Sequence, residues 1–128
     1  MIANDEVIIN GDGETSRDFC FVANAVQANL RATLAPQSSH NEIYNVAVGD
    51  RTTLNELFAA LKESLGELQI RYTKEPVYTD FRAGDVRHSQ ADIHKAREKI
   101  GYEPTHKIRM GIDTAMPWYV HNLRNQNG

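Results

Sequence analysis

Two arginine-bearing motifs hold the residues of this chain best suited to chemistry. The first is Gly11-Asp12-Gly13-Glu14-Thr15-Ser16-Arg17-Asp18-Phe19, and the second is Arg82-Ala83-Gly84-Asp85-Val86-Arg87. Each sets an arginine beside glycines and a carboxylate, outside any helical pattern. A guanidinium offers a planar fork of donors that matches phosphate oxygens two at a time. If the fold brings Arg17 and Arg82 together, they form a two-pronged clamp for a diphosphate. Taken singly, each motif has a plainer reading. Arg17-Asp18 would be an ion pair at a strand end, and Arg82 with Asp85 a charged turn about Gly84. Such surface pairs are worth about 0–1 kcal/mol.

Other chemistry is missing. A dinucleotide fingerprint needs a strand, three spaced glycines and a helix in succession. Gly11 and Gly13 supply two glycines, and the run after them is extended. No G-x-S-x-G elbow, HExxH helix or Cys/His group with zinc spacing occurs. His40, His88, His94, His106 and His121 are scattered and read as surface residues. Cys20, between Phe19 and Phe21, reads as a small buried hydrophobe. No catalytic residue and no metal site is expected.

The elements that must position the arginines follow from pattern. Val7, Ile8 and Ile9 form a β-type run, and Gly11-Asp12-Gly13 demands a tight turn. Residues 17–21 look extended. Val22, Val26 and Leu30 recur every four residues, which predicts a helix ending before Pro36, with that stripe facing a core. Residues 43–48 are rich in strand formers and read as a buried strand closed by Gly49. Thr52 or Thr53 caps a helix, with Glu56 three residues after Thr53 as a capping-box partner. Leu54, Leu57, Phe58, Leu61 and Leu65 give that helix its inner face, and Gly66 is expected to end it. Residues 68–72 and 77–81 read as weaker extended segments. Asp92 opens a short helix with Ile93, Ala96 and Ile100 inward and Gly101 at its end. A last helix carries Ile108, Ile112, Met116 and Val120 around Pro117, with Trp118 and Tyr119 expected in its core face.

The chain has 128 residues, 41% hydrophobic and 24% charged, with a formal net charge of -3. These values describe one ordinary α/β domain, residues 1–128, with helices and a few short strands. The negative balance disfavours nucleic acid as a partner. No apolar run approaches the roughly 20 residues of a membrane helix. A single cysteine and no visible signal peptide point to the cytoplasm.

The combined motifs carry a resemblance. Ile9-Asn10-Gly11-Asp12-Gly13 with Arg17-Asp18-Phe19 resembles the sugar-nucleotide-binding region of extended short-chain dehydrogenase/reductases. So do Tyr44-Asn45-Val46 leading into the Thr53 helix, and Arg82-x-Gly84-Asp85 followed by Ala91-Asp92-Ile93 and Ile100-Gly101-Tyr102-x-Pro104. Within that superfamily, Asp50-Arg51-Thr52-Thr53-Leu54-Asn55-Glu56-Leu57 and Met116-Pro117-Trp118-Tyr119-Val120 are similar to the bacterial UDP-N-acetylhexosamine 4-epimerases of polysaccharide biosynthesis.

The resemblance implies roles. Arg17 and Arg82 would grip the diphosphate of a UDP-sugar, and Asp85 would accept from the ribose hydroxyls. Ile8, Ile9 and Asn10 would line the nucleotide, partly through backbone groups, and Leu54 would pack near the uridine. Ser89 would face the hexose. Its small side chain leaves room for an N-acetyl group, which a bulky aromatic would crowd. The family's Gly-rich NAD loop and catalytic Tyr-x-x-x-Lys have no match in this sequence. The chain is therefore expected to be a C-terminal substrate-binding part, inactive alone, with the NAD-binding Rossmann part absent. NAD would belong to the full-length enzyme, and faces meant for the missing domain could drive self-association. A nucleotide-sugar 4,6-dehydratase, a decarboxylase, or a non-catalytic stand-alone binding module are the alternatives.

Overall fold

The computed structural model describes residues 1–126. In chain order it contains β1 (Ile8–Asn10), β2 (Ser16–Arg17), α1 (Val22–Leu34), a 3-10 turn (Gln37–Ser39) and β3 (Thr52–Thr53). Then come α2 (Leu54–Glu67), β4 (Val77–Thr79), α3 (His94–Ile100) and α4 (Ile108–Gln126). The expected α/β class, helices with short strands, is what forms. β1 pairs in parallel with β4, Ile9 opposite Tyr78. β2 pairs antiparallel with β3, Ser16 opposite Thr53.

Three small apolar clusters take the place of one large core. Ala28 of α1 meets Ala47, Ile93, Ala96, Ile100 and the fully buried Tyr102. Leu65 and Ile70 meet Ile112 and Met116 where α2 crosses α4. Ile9 of β1 packs with Phe58 and Tyr72. Arg109 adds a polar clasp to the second cluster, bonding Glu63, Glu67 and Asp113. The capping box forms as predicted. Thr53 Oγ1 accepts from the Glu56 amide at 3.1 Å, and Glu56 accepts from the Thr53 amide at 2.7 Å. These bonds satisfy two amides that a helix start leaves open, and so fix where α2 leaves β3.

Several expectations are corrected. The Val22/Val26/Leu30 stripe of α1 is exposed, and the buried face carries Asn24 and Ala28. Asn24 explains the choice. Its Oδ1 accepts from the Thr105 and His106 amides at 2.9 and 3.1 Å, and its Nδ2 donates to the His106 carbonyl at 2.8 Å. Those bonds turn α1 toward residues 105–106 and leave the larger aliphatic residues outside. Residues 43–48 are not a strand, since no described strand lies beside them. Ile43 is 87% exposed and only Ala47 of the run is buried.

Residues 68–72 form no ladder either, although Ile70 and Tyr72 are buried. α2 passes through Gly66 to Glu67, and the left-handed residue beyond it is Gln69 at φ 60°. Cys20 is exposed rather than buried. Trp118 and Tyr119 form an edge-to-face pair, with ring centroids 5.1 Å apart, on the exposed side of α4.

Candidate functional site

β2 is the axis of the site, because it is bonded on both sides. On one side it meets the start of α2. The Leu54 amide donates to the Thr15 carbonyl, and the Asn55 amide to the Gly13 carbonyl, each at 3.0 Å. On the other side lies the segment after the second arginine motif. The Ser16 amide donates to the Arg87 carbonyl at 2.9 Å, and the Ser89 amide to the Ser16 carbonyl at 3.1 Å. Ser16 Oγ and His88 Nδ1 share a further hydrogen bond of 2.9 Å. Ser16 and His88 therefore face each other across this bridge. Side chains alternate along extended backbone, so the neighbours Arg17 and Ser89 turn to the opposite face.

The two arginine motifs are brought together through Asp85. Arg17 donates to the Asp85 carboxylate and also to the Ser16 carbonyl at 2.8 Å. Asp85 is placed by a turn in which its amide donates to the Arg82 carbonyl at 3.1 Å, with Gly84 at φ 78°. Arg82 is exposed, and its side chain has no ion pair or hydrogen bond among the described residues. Ser89 is exposed beside them. Asp18 does not pair with Arg17. It accepts from the Val48, Gly49 and Ala91 amides at 3.0, 2.9 and 3.3 Å, and so pins the loops behind the site.

The predicted apolar residues gather separately. Ile8, Ile9, Asn10 and Leu54 line one side of an open cleft of about 710 Å³ that continues along Phe58 and Leu61. Ile8 is 64% exposed, whereas the Ile9 side chain is buried against Phe58 and Tyr72. Asn10 Oδ1 accepts from the Thr79 hydroxyl at 3.1 Å. The Gly11–Gly13 turn joins this cleft to β2. Both glycines have φ near 80°, and a Cβ on Gly13 would sit 2.0 Å from Asn55 Oδ1. Only glycine fits there.

Sequence reasoning missed Asp12, Asn55 and the pairing role of Arg87. Arg87 holds Asp12 through two bonds of 3.0 and 2.7 Å. Asn55 bonds the Asp12 carbonyl, Glu14 and the Tyr78 hydroxyl. These partners lie 23 to 75 positions apart, so no local spacing signals them.

The described residues hold no glycine-rich dinucleotide loop. Gly11 and Gly13 lead from β1 into β2, and no glycine-rich turn runs from a strand into a helix N-terminus. Nor do they hold a group of His, Cys, Asp and Glu suited to a metal ion. No helix among them is long and apolar enough to cross a membrane.

A family model described as GDP-mannose 4,6 dehydratase matches residues 1–115. A UDP-glucose 4-epimerase of Mycolicibacterium smegmatis is 30% identical over 119 residues, 93% of this chain and 36% of the relative. The crystal structure of UDP-glucose 4-epimerase from Thermotoga maritima, solved with UDP-glucose, is 41% identical with a TM-score of 0.85. That match covers 96% of this chain and 37% of the other. UDP-N-acetylglucosamine 4-epimerase from Methanobrevibacter ruminantium, in complex with UDP-N-acetylmuramic acid, is 32% identical with a TM-score of 0.78. It covers 94% of this chain and 36% of the other. The chain thus spans little more than a third of the length of these relatives.

Proposed function

The chain belongs to the GDP-mannose 4,6-dehydratase family, and on that premise we propose that it is the sugar-nucleotide-binding portion of an NAD-dependent UDP-N-acetylhexosamine 4-epimerase. The observation that carries the proposal is the Arg17–Asp85 pair, which joins the two arginine motifs on one face. Arg17 and Arg82 take the diphosphate, an assignment supported by the bidentate fit of guanidinium to phosphate. Asp85 accepts from the ribose. Leu54 and Ile8 pack beside the base, and Ile9 and Asn10 present backbone groups to it. Ser89, on the same face as Arg17, leaves room for the hexose and its N-acetyl group.

The chemical step lies outside this chain, because these residues form no dinucleotide site. The chain alone supplies grip and orientation and does not turn over substrate. The NAD-binding part of the full-length enzyme docks on the exposed side of α1 and residues 43–48, both of which present exposed apolar side chains. A nucleotide-sugar 4,6-dehydratase is the second reading, favoured by the description of the matching family model. Product analysis of the full-length enzyme separates the two, since a 4-epimer supports the first and a 4-keto-6-deoxy sugar the second.

Calorimetric titration with UDP tests the site. Arg17→Ala and Arg82→Ala should each weaken binding about tenfold or more. Affinity unchanged from the unaltered chain in both variants removes the clamp. Ser89→Tyr should weaken UDP-N-acetylglucosamine while leaving UDP unchanged, and a uniform effect on both removes Ser89 from the hexose pocket.

A further inference from the structure

Three arginines surround the site, and their partners differ. Arg82 has no side-chain partner among the described residues, and Arg17 reaches Asp85. Arg87 commits both ends of its fork to Asp12, at 3.0 and 2.7 Å, and its guanidinium lies 5.3 Å from the Phe81 ring centre. Phe81 in turn covers Gly11, where a Cβ would meet the ring at 2.4 Å. Arg87 is therefore spent on protein contacts. The Arg87–Asp12 and Phe81–Gly11 contacts each join one motif to the other, because Asp12 and Gly11 belong to the first, Arg87 ends the second and Phe81 directly precedes it.

We propose that Arg87 is a positioning residue, which fixes the Arg82–Asp85 turn against Arg17 by bolting the second motif onto the Gly11–Gly13 turn. The proposal rests on the diphosphate site described above. Between Phe81 and Arg87 the chain has one turn of its own, the Arg82–Asp85 turn. With both ends of that loop held on the first motif, Arg82 and Asp85 have little freedom left. With the Arg87 side chain removed, the loop keeps the Arg17–Asp85 pair and the bonds of Ser16 to the Arg87 carbonyl, to His88 and to the Ser89 amide, but the Arg82–Asp85 turn loses its tie to the Gly11–Gly13 turn. Arg82, which has no side-chain partner among the described residues, gains freedom to move. A clamp of two arginines depends on their separation, so this motion weakens the ligand without removing a ligand contact. The Arg87 hydrogen bonds also lower the Asp12 carboxyl from its ordinary value.

The test uses Arg87→Ala and Arg87→Lys in the intact chain. Hydrogen exchange is read at the Asp85, Ser89 and Ser16 amides, and UDP binding by calorimetry. Arg87→Ala should speed exchange at Asp85 while amides of α2 and α4 keep their rates. UDP affinity should fall about tenfold, and Arg87→Lys, which keeps the charge but not the fork, should recover part of it. Removing a residue that only supported the fold would speed exchange in α2 and α4 together with the loop. Unchanged exchange at Asp85, or unchanged UDP affinity in Arg87→Ala beside a weakened Arg82→Ala, overturns the proposal. If the unaltered chain binds no UDP, the diphosphate site itself falls, and with it any positioning role.

Discussion

Arg17 and Asp85, 68 positions apart, form an ion pair with side chains 29% and 39% exposed. In the proposed site, this pair occupies one of the two arginines assigned to the diphosphate. A diphosphate must compete with Asp85 for Arg17, whereas a ribose gains Asp85 as an acceptor. The two ligand groups therefore see this carboxylate with opposite sign. Asp85→Ala should bind inorganic pyrophosphate more tightly than the unaltered chain and gain less, or lose, with UDP. The ratio of UDP to pyrophosphate affinity should drop about tenfold, the worth of one hydrogen bond to a charged group. Competition titrations measure it, and an unchanged ratio removes Asp85 from the ribose.

Asn24 is the most consequential polar residue outside the site. It is fully buried, and its amide satisfies the Thr105 and His106 amides and the His106 carbonyl together. Asn24→Ala removes the shared partner of those groups. The cost should be about 2–4 kcal/mol, in the range for breaking a buried polar network. Urea denaturation followed by circular dichroism reads it. A loss below about 1 kcal/mol would mean that water replaces the amide.

Acid should loosen the site before the helices. The Arg87 hydrogen bonds, first among the causes, hold Asp12 below its ordinary value of 3.8. A depressed carboxylate contributes stability that is fully present above the unfolded value and is lost as pH falls through the lower folded value. Glu42, held low by Lys95, adds to the same limb. Between about pH 4 and pH 2 the unaltered chain should therefore lose stability more steeply than Asp12→Asn, in which this linkage is gone. Denaturant midpoints across that range decide it, and parallel curves would show that the pair contributes nothing.

What the sequence made legible was local. The Thr53–Glu56 capping box, the inner face of α2 and the Gly101 stop of α3 each depend on neighbours within about one turn. The α1 pattern was half legible. Spacing of four predicts a helix, but the choice of buried face was made by Asn24 and by the small Ala28, which lets α3 approach. Residues 43–48 have strand composition, yet a strand needs a neighbour and composition cannot supply one. The resemblance put Arg17, Arg82 and Asp85 at one ligand, but no reading paired Arg17 with Asp85 across 68 positions. The Asp12–Arg87 pair, 75 positions apart, had no sequence signal, because Asp12 read as a turn residue and Arg87 as the end of a motif.

The uncovered side of α1 leads to the last prediction. Val22, Val26, Leu30 and Leu34 are 66%, 50%, 61% and 84% exposed. Their spacing sets them along one side of a 13-residue helix. Ile43 and Val46 are exposed as well. Burying apolar surface gains roughly 25 cal/mol per Å², so a chain without its docking partner lowers its free energy by pairing this face with a second copy. Stable interfaces bury about 800 Å² per partner, which a few aliphatic side chains on one short helix do not reach. The association should therefore be weak and concentration-dependent. Light scattering after size exclusion should show the average mass rising with loading concentration. Val26→Asp with Leu30→Asp should hold the chain monomeric while leaving its helical signal intact, because both positions are exposed in the single copy. A concentration-independent monomer in the unaltered chain, or association that survives both substitutions, would show that this face is not the adhesive one.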